Sequence, residues 1–210
     1  SAMSLNAFNL TTITGFLGVM YTYVALMLAI AAVMWGSDTI SKEERDKTVE
    51  FSLTLPVTRG EVVTAKTIAA FINCIVLLLI TTVFLVVSAQ QYKPDAEFYR
   101  FLLLIMITVF IIQMVFLAVG VFLGCAMKQY RRAGSLAVSI LLLTYFLSII
   151  SGLNKNLEFL KFFSPFKYFD PAAMLNASTI GIGYVGLSIG IIAVSLIAGY
   201  FLYSKRDLYI

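Results

Sequence analysis

Five long apolar runs, separated by short polar stretches, organise this chain: roughly 11–35, 67–88, 101–125, 134–153 and 180–203. Each is long enough to cross a bilayer, because about 20 residues rising about 1.5 Å apiece span a hydrocarbon layer of about 30 Å. Runs such as "IVLLLITTVFLVV" (75–87) show none of the alternation of a membrane β-strand. The pattern predicts an all-α fold, a polytopic membrane helix bundle of five visible spanning helices that form one membrane domain over 1–210. Two polar insertions break it. One is the charged stretch 37–66, the other an external segment at 154–179 that interleaves Phe159, Phe162, Phe163, Phe166, Tyr168 and Phe169 with Pro165 and Pro171. Aromatic residues collect at membrane interfaces and proline breaks helices, so short interfacial or re-entrant helices are expected there.

Composition agrees with the pattern. The chain is 60% hydrophobic and only 12% charged over 210 residues, so its insoluble surface needs a bilayer. Ten of the 26 acidic and basic side chains fall in "SKEERDKTVEFSLTLPVTRGEVVTAK", residues 41–66. Basic loops stay in the cytoplasm. Lys42, Arg45, Lys47, Arg59 and Lys66 therefore place the 36–66 stretch inside, the N-terminus of this chain outside and the C-terminus in the cytoplasm. The net charge of +4 is a topology signal, and no basic face is large enough to track nucleic acid. With no histidine and both cysteines, Cys74 and Cys125, inside apolar spans, neither a metal site nor a bound cofactor is expected.

Within the charged stretch, Ser41 with Glu44 and Thr58 with Glu61 both match the Ser/Thr-x-x-Glu capping box, so two helices are expected to start here. Pro56 ends the first, because the residue before proline is pushed out of the α region. On periodicity alone "VEFSLTL" (49–55) reads as a strand. An isolated strand leaves its backbone unpaired, however, and "SKEERDK" supplies helix formers, so a helix is the preferred reading. Drawn as a helix, Val49 and Leu53 face one way and Phe51 and Leu55 nearly the other. Such a helix needs cover on both sides, which suggests a docking element.

Other motifs weigh less. "GIGYVG" (181–186) fits G-x-G-x-x-G but opens a membrane helix, without the strand that a dinucleotide site requires. Gly120 with Gly124, and Gly186 with Gly190, have the spacing of close helix packing, with a dimer contact as the alternative. Tyr21, Thr22, Tyr23, Asn73, Thr81, Thr82 and Gln113 are the polar residues within the spans; they either hydrogen-bond neighbouring helices or line a pathway, for which Tyr21, Tyr23, Asn73 and Gln113 are the candidates. No Asp, Glu, Lys or Arg lies well inside a span, where an ion- or proton-driven carrier would place one. No G-x-x-x-x-G-K-[ST] loop is present, so ATP hydrolysis would have to come from another polypeptide. Asn9 and Asn176 open glycosylation sequons to which no role is given. "SAM" ahead of "SLNAFNL" reads as a cleavage remnant, so a further helix is expected to have been cut away before the first visible span.

The stretch from "EER" through "KTVEFSLTLPVTRGEVVTAK" resembles the cytoplasmic segment of type-two ATP-binding-cassette (ABC) exporter permeases. Thr48, Glu50, Leu53, Pro56, Val57, Thr58, Arg59, Glu61, Val62, Val63 and Lys66 match that pattern, while Lys47 and Ala65 stand where the family often has glycine. The similarity extends to "FFSPFKYFDPAAML" and "YSKRDLY". The family usually has six spans with both termini inside, which fits truncation before the first helix. The resemblance implies a transmembrane subunit in a bacterial cell membrane, itself not an enzyme. It would pair with a second permease copy or homologue and with a cytoplasmic ATP-binding subunit. Residues 42–55 would be the coupling helix, with Glu44, Glu50, Phe51, Leu53, Leu55 and Arg59 as its contacts to the ATPase. A secondary carrier or channel, and a membrane-anchored sensor or assembly factor, are the alternatives from other classes.

Overall fold

The computed structural model describes residues 12–45, 58–127, 130–153, 155–171, 174–175 and 181–205, and every regular element among them is helical. Among the described residues, five helices are long and apolar enough to cross a membrane: α1 (Ile13–Arg45), α2 (Arg59–Ala89), α3 (Ala96–Ala126), α4 (Tyr130–Leu153) and α5 (Ile182–Ser204). They coincide with the five apolar runs to within a few residues at most ends. Local chemistry sets several of the boundaries. The Thr12 Oγ1 accepts from the Gly15 N–H at 3.1 Å at the head of α1. Between α2 and α3, a short 3-10 turn (Gln90–Tyr92) leads to Lys93 in the left-handed region (φ 49°), and the Asp95 side chain then accepts from the Phe98 N–H at 2.9 Å to start α3.

The two capping motifs behave differently. At Thr58 the box closes: the Thr58 N–H donates to Glu61 Oε2 at 2.6 Å, and the Glu61 N–H donates to Thr58 Oγ1 at 3.3 Å. At Ser41 it does not, since α1 runs without a break to Arg45 and Ser41 lies inside a helix rather than ahead of one. An N-cap requires a non-helical backbone before the first turn. Here the chain arrives already helical, its Ser37 hydroxyl donating back to the Val33 carbonyl at 2.9 Å. The expected new helix over 42–55 therefore begins as the tail of α1.

The hub of the bundle is α3, which packs against α1, α2, α4 and α5. Since α1 also touches α2 and α4, and α2 touches α5, the other four form an arc around it in the order α4, α1, α2, α5. The tightest crossing joins α1 to α3 at Gly36 and Gly120. A Cβ on Gly36 would lie 2.5 Å from the Leu117 carbonyl oxygen, and one on Gly120 would collide with the Val33 carbonyl. Close backbone approach of this kind is how small residues hold membrane helices together.

The aromatic segment after α4 forms two 3-10 helices, Lys155–Phe163 and Pro165–Lys167. It divides its six aromatics: Phe159, Phe162 and Phe163 stay exposed, while Phe166, Tyr168 and Phe169 are buried. The Phe166 ring lies 5.2 Å from Phe116 and 5.6 Å from Tyr145, centroid to centroid. Phe116 is about 30 Å along α3 from Ala96 at about 1.5 Å per residue, so Phe166 reaches well into the bundle. The Ser164 hydroxyl anchors the turn by donating to the Thr144 carbonyl at 2.7 Å, and Tyr168 donates to the Phe162 carbonyl at 2.6 Å while stacking on Tyr184.

Candidate functional site

The polar stretch lies between α1 and α2. Both flanks of residues 46–57 are fixed. On one side α1 enters from the Gly36–Gly120 crossing. On the other, the capped start of α2 buries Val63 in a cluster with Ala32 of α1, Leu117, Val121 and Cys125 of α3, and Tyr203 of α5. Thr64 adds a polar tie. Its hydroxyl donates to the Gly60 carbonyl at 2.8 Å, which uses its only proton, so the Tyr200 hydroxyl of α5, 2.8 Å away, is the donor in their mutual bond. One turn on, the Lys205 ammonium sits 4.0 Å from the centre of the Phe201 ring, a cation–π contact that orients the end of α5.

This arrangement is mechanical. The first turns of α2 are held to α3 and α5 through Val63 and Thr64. Packed side chains transmit displacement because interiors have low compressibility. Among the described residues no three His, Cys, Asp or Glu side chains gather into a metal-binding group.

Of the residues expected to contact an ATPase, Arg59 is the first residue of α2. Glu44 lies in the last turn of α1 by backbone, while its side chain, with Glu50, Phe51, Leu53 and Leu55, lies outside the described residues. So do Asn9 and Asn176. The four pathway candidates do not share one surface. Tyr21 and Gln113 are buried, the Tyr21 hydroxyl beside Thr108 without a hydrogen bond of standard geometry and the Gln113 amide with neither atom paired. Tyr23 is exposed on α1 and Asn73 is exposed on α2. Thr81 and Thr82 donate back to the Leu77 and Leu78 carbonyls of their own helix, so of the two alternatives their hydroxyl protons do not serve a bond to a neighbouring helix. Gly186 and Gly190 have open space where a Cβ would be, whereas Gly120 packs inside the chain.

Sequence reasoning missed Gly36, Thr64 and Tyr200. Gly36 was legible only as the last residue before a polar stretch. Thr64 and Tyr200 are 136 positions apart, and nothing local in either neighbourhood announces the other.

Comparison with known proteins agrees with this geometry. The family model described as "ABC-2 family transporter protein" matches residues 2–208. No individual curated protein matches the chain. With five membrane-length helices among the described residues and a family match over nearly its whole length, the chain belongs to the ABC-2 family of transporter proteins, as a membrane permease component of an ABC transporter.

Proposed function

We propose that the chain is the permease subunit of an ATP-driven exporter in a bacterial cell membrane. In this reading a separate cytoplasmic subunit hydrolyses ATP, and residues 42–55 form the coupling element that receives its closure. Glu44, Glu50, Phe51, Leu53 and Leu55 contact that subunit, and Arg59 braces the following turn. A second permease copy completes the pathway, and access alternates by rigid-body movement of the helices. The observation that carries the reading is the family match over residues 2–208, supported by the packing of the two flanking helices, α1 at Gly36 and α2 through Val63 and Thr64.

Glu50→Ala with Phe51→Ala tests it in the assembled transporter. ATP hydrolysis should continue while substrate movement falls at least tenfold, measured together in proteoliposomes. Unchanged coupling would remove these residues from the contact.

A further inference from the structure

Helix α1 is one unbroken rod of 33 residues, with no proline between Ile13 and Arg45. Its closest approach to α3 lies toward its Arg45 end, at Gly36. Sliding α1 along α3 by one turn would bring Ala32 or Ile40 to the place of Gly36. Both carry a Cβ, and a Cβ at that place lies 2.5 Å from the Leu117 carbonyl oxygen and 2.9 Å from the Val121 nitrogen, both of them backbone atoms. The crossing therefore fixes the register of the two helices. It leaves their angle free to change, because glycine meets glycine there and no side chain of either residue is wedged into the other helix.

A stiff rod held at one point is a lever. From Gly36 to Arg45 is nine residues, an arm of about 13 Å, and from Gly36 to Ile13 is 23 residues, an arm of about 34 Å, at about 1.5 Å per residue. A tilt that moves the Arg45 end by about 1 Å thus moves the Ile13 end by about 2.5 Å the opposite way. Near the pivot α1 is also held toward α2, through the cluster that joins Ala32 to Val63 and Ala70. At the far end of the long arm the same two helices part. There Ile13, Phe16 and Met20 of α1 face Leu85 and Ala89 of α2 across an apolar cavity of about 110 Å³. An apolar lining suits both positions of the arm: it gains dispersion contacts when the arm closes on it and is solvated by acyl chains when the arm opens. Along the arm, the buried Tyr21 hydroxyl lies beside Thr108 of α3 without a hydrogen bond of standard geometry, so no polar tie at that point opposes the swing.

We propose that α1 is a lever that pivots at Gly36 against Gly120, and that movement of its Arg45 end opens and closes the cavity between its other end and α2. The inference rests on the permease reading for its driving force, which the closing ATPase applies to the Arg45 end.

Met20→Cys with Leu85→Cys, in the assembled transporter with Cys74→Ala and Cys125→Ala, reads the long arm by oxidative cross-linking in proteoliposomes. The yield should change at least threefold between nucleotide-free samples and samples trapped with ATP and vanadate. Equal yields beside an ATPase that hydrolyses ATP would overturn the lever alone, whereas a complex that purifies without any ATPase would overturn it together with the permease reading. Ala89→Leu, which fills the cavity, supplies a second readout. Transport should fall at least fivefold while ATP hydrolysis continues and the thermal unfolding midpoint is kept or raised. Transport at the parent rate would show a static void and overturn the lever, as would an equal loss from Val83→Leu on the exposed face of α2.

Discussion

Helices α2 and α3 contain 31 residues each and are almost equally apolar, yet 61% of the most apolar stretch of α3 is buried inside the bundle against 11% for α2. Hydrophobicity put both in the membrane. It did not choose between hub and rim, because lipid solvates an apolar side chain as well as a neighbouring helix does. What distinguishes α3 is shape. Gly120 lets the α1 backbone come close, and Ala118 and Gly124 are also buried along this helix. In α2 the only glycine is Gly60 in the first turn, where an added Cβ would meet nothing. Large apolar side chains fill most of the hub, and at the crossing itself glycine sets how close the two backbones come.

The sharpest way to break this contrast is Gly120→Leu. A side chain there must displace the Val33 backbone, so we expect a loss of about 3 kcal/mol or more, with little folded protein recovered, whereas Gly60→Ala should leave thermal unfolding in detergent unchanged or slightly improved. Next in size is Gln113→Leu. A buried amide without partners costs about 1–3 kcal/mol, so removing it should raise the stability of the hub by about 1–2 kcal/mol, read from the same unfolding assay. Were Gln113 also part of the substrate route, transport would fall while stability rose, and the two readouts separate the roles.

Smaller is the effect of Tyr200→Phe, which removes the hydroxyl that donates to Thr64 and should cost about 0.6 kcal/mol, the average for a polar contact between membrane helices. Its transport rate should fall more than its stability if α2 drives α5 through that bond. Smallest is Val83→Ala on the outer face of α2. Lipid replaces the lost contact, so the unfolding midpoint should stay within about 0.5 kcal/mol of the parent. A large loss at Val83 would mean that α2 has a protein neighbour after all.

Legibility in the sequence followed the range of the interaction. The Thr58–Glu61 box is readable because its partners are three residues apart along the chain. The same motif at Ser41 misleads, because whether it caps depends on the helix arriving from Met34 and Ser37. Aromatic residues at 159–169 announce an interfacial or re-entrant segment, but not that Phe166 inserts between Phe116 and Tyr145 while Phe163 stays outside.

The sequence by itself determined that the chain is helical, where its five spans lie and which stretch carries the charge, since apolar length, caps and charge are properties of neighbours along the chain. Only the tertiary structure decided that α3 is the hub, that Gly36 is the counterpart of Gly120, and that Tyr200 ties α5 to α2. Each of these depends on which face of one helix meets which face of another. In a membrane, where every span is apolar all round, periodicity no longer marks the inside, and the choice falls to shape, close approach and a few hydrogen bonds.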